Sequence, residues 1–219
     1  MRSVYLTILC CLAAWAASPW ADEFTSIILP APRTEGGRPL MQVLKERKSV
    51  REFGREMLPP PVLSDLLWAG FGINRPDSGH RTAPSAMNSQ EIDIFVAMAN
   101  GLYLYEAKGH LLKPIAREDV RSKTGGQPFL KEAPIALIFV ADFSRAEKMK
   151  PAEREFYSAI DTGYISQNIY LYCASEGLAT VVHELPDRAA LAKTMRLRSD
   201  QKIILAQAVG MPKPSEKND

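Results

Sequence analysis

Residues Pro134 to Val140 form an apolar run without a polar break, bounded by Ala133-Pro134 on one side and Asp142 on the other. A strand with one wet face alternates apolar and polar residues, so an unbroken run reads as a strand buried in a sheet. That feature demands other elements to cover it, and the rest of the chain supplies them. Ile92 to Met98 is a strand by composition. Asn100-Gly101 is the strongest hairpin signal, because both central positions of a tight hairpin turn require positive φ. Leu102 to Tyr105 is the return strand, and Leu111 to Ile115 continues the ribbon with Pro114 marking an edge. Ala179 to Val182 and Ile203 to Val209 are further strands.

The helices are read from spacing and punctuation. Leu40 to Arg47 places Leu40, Val43 and Leu44 on one face. Pro61 opens a second helix, with Leu63, Leu66, Leu67 and Phe71 at helical spacing and Gly70 and Gly72 closing it. Glu153 to Glu176 is the longest helical stretch; Ile160, Tyr164, Gln167 and Leu171 share a face, and Gly177 is a natural C-terminal cap. A last helix starts at Leu185-Pro186-Asp187 and ends near Leu197. Helices first, then a hairpin, then strand and helix in alternation predict an α+β fold with one mixed central sheet flanked by helices.

The amino terminus is a separate object. Arg2 gives a basic start, Val4 to Ala17 is apolar except for Thr7, and Ser18 to Asp22 returns to small and polar residues. This is the pattern of a secretory signal. Its apolar stretch is about fourteen residues, shorter than the ~20 a spanning helix needs. Residues 1–21 are therefore expected to be a signal peptide, residues 22–39 an extended arm rich in proline and glycine, and residues 40–214 a single domain. Cuts after Ser18 and after Ala21 both stay open. The pattern predicts export and suggests a bacterial periplasm. Of the three cysteines only Cys173 lies in the mature chain, so no intramolecular disulfide is expected. A net charge of +2, without a basic run interleaved with aromatics, argues against nucleic-acid binding.

Three segments carry candidate chemistry. Arg47-Lys48-Ser49-Val50-Arg51 sets three cations and a hydroxyl within five residues, a set that suits a phosphate; alone it also reads as a solvated basic turn. Ala83 to Gln90 offers small residues that let a flat ring approach, with donors and acceptors on Asn88 and Gln90; alone it reads as a polar loop. Gly177 to Glu184 runs from a helix end through a short strand, and strand ends in such sheets are where ligands sit. There His183 is either a general acid or a histidine satisfied at a strand edge.

Taken together, these segments resemble the nitroreductase family of flavoproteins. The resemblance rests on Arg47, Ser49 and Arg51; on Pro84, Ser85, Asn88 and Gln90; on Ser166 to Leu171 with Glu176 to Thr180; and on Ala208 to Pro212. It spans roughly Leu40 to Lys213. Where many members follow the second motif with Pro-Trp, this chain has Glu91-Ile92. The resemblance implies FMN as cofactor and an intertwined homodimer with the flavin at its interface. It assigns the phosphate and part of the ring to Arg47, Lys48, Ser49 and Arg51, with Lys213 as a further cation. Pro84, Ser85, Ala86 and Asn88 would line the ring from the partner subunit. Backbone donors of Val182, His183 and Glu184 would lie near flavin N5 and O4, and Gln127 at the pyrimidine edge. The expected activity is two-electron transfer through flavin N5 to or from a small electron-poor organic molecule, with His183 as a proton source. The related azoline-oxidizing subgroup runs such chemistry as a dehydrogenase. Two other readings stand beside it: a non-catalytic exported flavin- or ligand-binding domain, and dehalogenase-like chemistry with Phe143 to Phe156 as the only candidate lid.

Overall fold

The computed structural model describes residues 24–214, so the signal expected over residues 1–21 lies outside the described residues. The apolar run becomes β7 (Ile135–Asp142), and all eight of its residues are buried. Ile135, Leu137, Phe139 and Ala141 point to one side of the sheet, and Ala136, Ile138 and Val140 to the other. Both faces are covered, which is why no polar residue interrupts the run. Each large apolar side chain buried this way contributes on the order of 2 kcal/mol.

The first face packs on α2 (Pro60–Phe71) and α3 (Pro151–Glu176) through Leu63, Leu66, Leu67, Ile165 and Ile169. The second packs on α4 (Arg188–Thr194) through Leu191 and Met195. The side chain of Asp187 caps α4 by accepting from Ala190 N–H at 2.8 Å, and the helix ends before Leu197 because Met195 and Arg196 turn the chain out. A short α1 (Leu40–Glu46) lies against α3.

The central sheet holds β1 (Ile27–Ile28), β4 (Ile92–Met98), β5 (Gly101–Glu106), β6 (Leu111–Ala116), β7, β8 (Ala179–His183) and β9 (Gln201–Gly210), in the order β1-β6-β5-β4-β7-β9-β8. A small ribbon of β2 (Ile73–Arg75) and β3 (His80–Arg81) stands apart. The crossover through α3 makes β7 and β8 run the same way, but β9 lies between them, so neighbouring strands are antiparallel. The arm is extended and contributes β1, which pairs with only the first two residues of β6 and leaves Pro114 beyond it.

Two sequence expectations shift. Met98 pairs with Gly101, so the hairpin turns on Ala99 and Asn100, and neither has positive φ. Gly101 carries the unusual backbone instead, at φ 150°, and a Cβ there would stand 2.8 Å from the Ala116 carbonyl oxygen. The face of α3 that bears Ile160 and Tyr164 does not meet the sheet. It is exposed, 37% at Ile160 and 49% at Tyr164, and Phe156 extends it at 64%. The buried face is the more polar one, with Ser158, Asp161, Thr162 and Ser166 beside Ile165, Ile169 and Cys173. Helical spacing finds both stripes and does not say which one the sheet takes.

Candidate functional site

The cationic segment leaves α1 and is laid along the end of the sheet. Val50 N–H donates to Thr180 O at 2.9 Å, Gly54 N–H to Met211 O at 2.9 Å and Lys213 N–H to Glu52 O at 3.2 Å. Phe53 bridges to Pro212 and is buried among Leu130, Ala179, Val181 and Ala208. With the apolar side chain turned inward, Lys48, Ser49 and Arg51 are turned out to solvent, and Lys213 is brought beside them. The polar end of α3 completes the arrangement. Tyr170 OH accepts from Val182 N–H at 2.9 Å and lies 3.0 Å from Ser49 Oγ, while the Arg47 guanidinium sits 5.4 Å from its ring centroid. Tyr170 thus ties the cationic segment to β8, a role the sequence reading missed. Its only signal was a tyrosine seven residues before the Gly177 cap. A cavity of about 490 Å³, lined by Lys48, Val50, Tyr170, Thr180 and Pro212 among others, opens here.

Behind it, a polar chain crosses the core. Ser166 Oγ donates to Gln207 Oε1 at 2.9 Å, Gln207 Nε2 to Thr180 Oγ1 at 2.9 Å, and Thr180 Oγ1 to Ala208 O at 2.8 Å. Each buried group finds its partner, so α3, β8 and β9 are locked in one register.

At the far end of β8, the backbone of Gly125 runs close to Glu184, and a Cβ on Gly125 would lie 3.0 Å from Glu184 O. Two buried polar atoms collect here: Gln127 Oε1 and His183 Nε2 have no hydrogen-bond partner within this chain. Left so, each would cost ~1–3 kcal/mol. His183 Nδ1 faces Glu184 O at 3.3 Å, and the ring also lies beside the Thr124 backbone carbonyl. Burial pushes the pKa of the imidazole below its usual value, so the ring is neutral. The expectation of His183 as a proton source therefore meets a buried ring that is neutral near pH 7.

The second segment lies elsewhere. Ala86 N–H donates to Asp161 Oδ2 at 2.8 Å on α3. Asp161 and Tyr170 are nine residues apart, about two and a half helical turns, so they point to opposite sides of α3 some 14 Å apart along its axis. Within one chain the two halves of the expected site do not meet. Pro84 and Asn88 are exposed, and Ser85 and Ala86 half-buried. Met87, Asn88 and Gln90 all have positive φ, at 54°, 52° and 50°, a backbone state costing of order 1 kcal/mol or more per residue. Local bonds hold it: Gln90 N–H to Ser85 Oγ at 2.9 Å, and Ser89 Oγ to Ala86 O at 2.8 Å. Gln90 is consumed by the fold, accepting from Arg81 Nε at 2.9 Å and donating to Gly79 O at 3.1 Å. Asn88, the other candidate, is exposed, and its Oδ1 accepts from Gln90 Nε2 at 3.2 Å.

In the stretch Phe143 to Phe156, Ala146 and Met149 are buried and Phe156 is exposed. Among the described residues no group of acidic, histidine and cysteine side chains could hold a metal, and no helix is long and apolar enough to cross a membrane.

Known proteins match along almost the whole domain. The model of the nitroreductase family matches residues 44–211. A protein of Methanocaldococcus jannaschii described as a nitroreductase is 32% identical over 152 residues, 65% of this chain and 76% of that protein. A crystal structure from Ralstonia eutropha, also described as a nitroreductase, has a TM-score of 0.83 at 44% identity and covers 87% of this chain and 90% of its own. A Desulfovibrio desulfuricans structure described as a nitroreductase in complex with FMN shares the fold, with a TM-score of 0.59 at 19% identity over 84% of this chain and 92% of that one.

Proposed function

This chain belongs to the nitroreductase family of oxidoreductases, and on that premise we propose that it binds FMN and catalyses two-electron transfer to or from a small electron-poor organic molecule. The observation that carries the reading is a cavity of about 490 Å³ lined by Lys48, Val50, Tyr170 and Thr180, with Ser49 bonded to Tyr170, Arg47 over the Tyr170 ring, and Lys213 bonded to the backbone of Glu52 next to the exposed Arg51. Guanidinium and ammonium groups there bind a phosphate through charge-assisted hydrogen bonds. Gln127 Oε1, buried without a donor, fits the N–H of a flavin pyrimidine edge. The backbone of His183 and Glu184 is assigned to the ring's other edge, while Val182 N–H, expected there too, is taken by Tyr170 OH.

When bound, FMN supplies a hydride carrier, and the protein's share is binding, orientation and electrostatics. Arg51 is assigned the cation that favours negative charge on the reduced ring. Tyr170 holds Ser49 and Val182 in place. His183, neutral and buried, shapes the wall beside Phe129, with ring centroids 6.3 Å apart. The proton then comes from solvent or from the substrate.

Segment 84–88 of the same chain does not line the cavity, and we propose that a second copy supplies that segment in a homodimer. The exposed Phe156, Ile160 and Tyr164 stripe on α3 is the apolar surface such a dimer would cover. Export through residues 1–21, to a bacterial periplasm, is part of the same proposal; fractionation of the expressing cell checks it. The decisive test is the visible spectrum of the purified chain from Asp22 onward after FMN is added and the sample desalted. Retained flavin bands that bleach with a hydride donor and return with an electron-poor acceptor support the reading. A colourless protein overturns it, and bound flavin without turnover by any donor makes the chain a binding domain.

A further inference from the structure

Glu91, the residue that follows the 84–90 segment, is completely buried. It faces α3. Ser158 Oγ donates to Glu91 Oε1 at 2.9 Å, while Glu91 Oε2 has no donor at all. Asp161, three residues from Ser158 on the same buried face of α3 and itself only 2% exposed, presents its carboxyl toward Glu91. Two buried carboxylates cannot hydrogen-bond each other, whereas a carboxylic acid and a carboxylate can. One proton between them satisfies the orphaned oxygen and removes a like-charge contact. The opposite oxygen side of the same pair does the holding: Asp161 Oδ2 accepts from Ala86 N–H.

Resting on the FMN reading above, we propose that Glu91 and Asp161 form a proton-sharing pair that positions the 84–90 segment, and through it sets how tightly a second copy's flavin is lined. The segment has a reason to need such a catch. Its backbone is strained at Met87, Asn88 and Gln90, and Ala86 is where it is pinned to a long rigid helix. With the proton present, the pair carries a single negative charge and the Ala86 N–H bond is made against a neutralised neighbour. With the proton lost, two charges repel across a dry contact, and the easiest relief is movement of Glu91 and the segment attached to it.

The surroundings leave few other groups to answer this charge. From α3 come Ser158 and Thr162, and from the segment comes the Ala86 N–H. Arg145, from the turn after β7, donates to the Glu91 backbone oxygen at 2.8 Å but is ion-paired with Asp93 at 2.7 Å. Among the described residues no lysine or arginine is ion-paired with either carboxyl of the pair. Burial and the facing Glu91 push Asp161 up to about 6, so the proton leaves near neutrality.

The test compares the purified protein with Glu91→Gln, in which an amide donates permanently where the shared proton stood. FMN affinity is measured by fluorescence quenching from pH 5 to pH 8. The phosphate of FMN also ionises near 6, so the quantity read is the ratio of the two affinities at each pH. The expected result is similar affinity at pH 5 and a three- to tenfold advantage for Glu91→Gln at pH 8. A ratio that stays constant across the range overturns the proposal. Glu91→Leu separates positioning from simple packing, since it fills the space without a donor and should bind weakly at every pH. Hydrogen exchange at the Ala86 amide, corrected for its intrinsic pH dependence, is followed without flavin. Protection that falls as pH rises in the wild type and stays level in Glu91→Gln supports the pair even if no FMN binds, in which case the flavin reading alone fails. Level protection in both proteins sinks the pair.

Discussion

The two ends of α3 serve the same proposed site by opposite means. Near its C-terminus, the cationic segment is held by ordinary strand-like backbone bonds to Thr180, Met211 and Lys213, with Lys48 and Arg51 exposed to solvent and Arg47 laid over the Tyr170 ring. Near its N-terminal half, segment 84–90 carries three positive-φ residues, and its anchor is a buried acid. The first region needs only reach and charge, which exposed arginines and lysines provide with little strain. The second must present small residues in one shape to a flat ring, and shape is kept by a fully bonded, strained loop on a rigid support. One region is therefore sensitive to charge and salt, the other to the packing beneath it.

The largest expected effect breaks the comparison outright. Ile160→Arg puts a charge into the apolar stripe of α3 without touching either region. It is expected to give a monomer by size-exclusion chromatography that retains no flavin, because the two halves then never meet; a monomer with full flavin occupancy would show that one chain suffices. Next comes the double variant Arg47→Ala and Arg51→Ala. Two charge-assisted bonds at ~1.5–3 kcal/mol each weaken FMN binding by roughly a hundredfold or more, with the melting temperature hardly changed and the salt dependence of binding flattened. Gln90→Ala should do the reverse in the other region. It removes the acceptor of Arg81 and the brace of the strained loop, at ~1–3 kcal/mol of stability, read by denaturant unfolding, while the salt dependence of binding stays as in the wild type.

Tyr170→Phe is milder. It leaves Val182 N–H without its acceptor and Ser49 without its neighbour, and about 1 kcal/mol of stability with a fewfold loss of flavin affinity is expected; an unchanged affinity would detach Tyr170 from the site. The smallest effect is in pH. Asp161, raised from 3.8 to about 6, holds a proton in the folded chain that the unfolded chain has lost, so stability falls as pH rises through that window and is flat above it. His183, pushed below 6.5 by burial, has the opposite sign: its contribution is present above the unfolded value and is lost as pH falls through the lowered one. Asp161→Asn should remove only the first slope in thermal melts between pH 4 and pH 7.

Much of this was legible in the residues themselves. Strand β4 was read with the bounds it has, and β7 was read as buried because seven apolar residues in a row leave no wet face. Gly177 is the cap of α3, at φ 71°. The cationic motif and β8 were assigned separately to one flavin, and Val50 N–H bonds Thr180 O between them. The hairpin was found but its turn was placed one residue late, since Asn-Gly describes a preference for positive φ and this turn uses none at its centre. Tyr170, Glu91 and Asp161 were passed over as parts of a helix and a loop edge. Their importance comes from partners 12, 121, 67 and 75 residues away, and no local pattern encodes those distances.

What the sequence determined by itself is the four helices and the six longer strands of the sheet, the α+β order and the family, because each follows from local periodicity, caps and short motifs; β1 and the β2–β3 ribbon were not read. Tertiary structure alone decided which stripe of α3 meets the sheet, and that choice places the two motifs on opposite sides of one helix. A helix with two apolar stripes can be rotated to bury either. The rotation is settled by the sum of contacts with β4, β7, β8 and β9, and burial energy of that kind is a property of the assembled layers rather than of any window of residues.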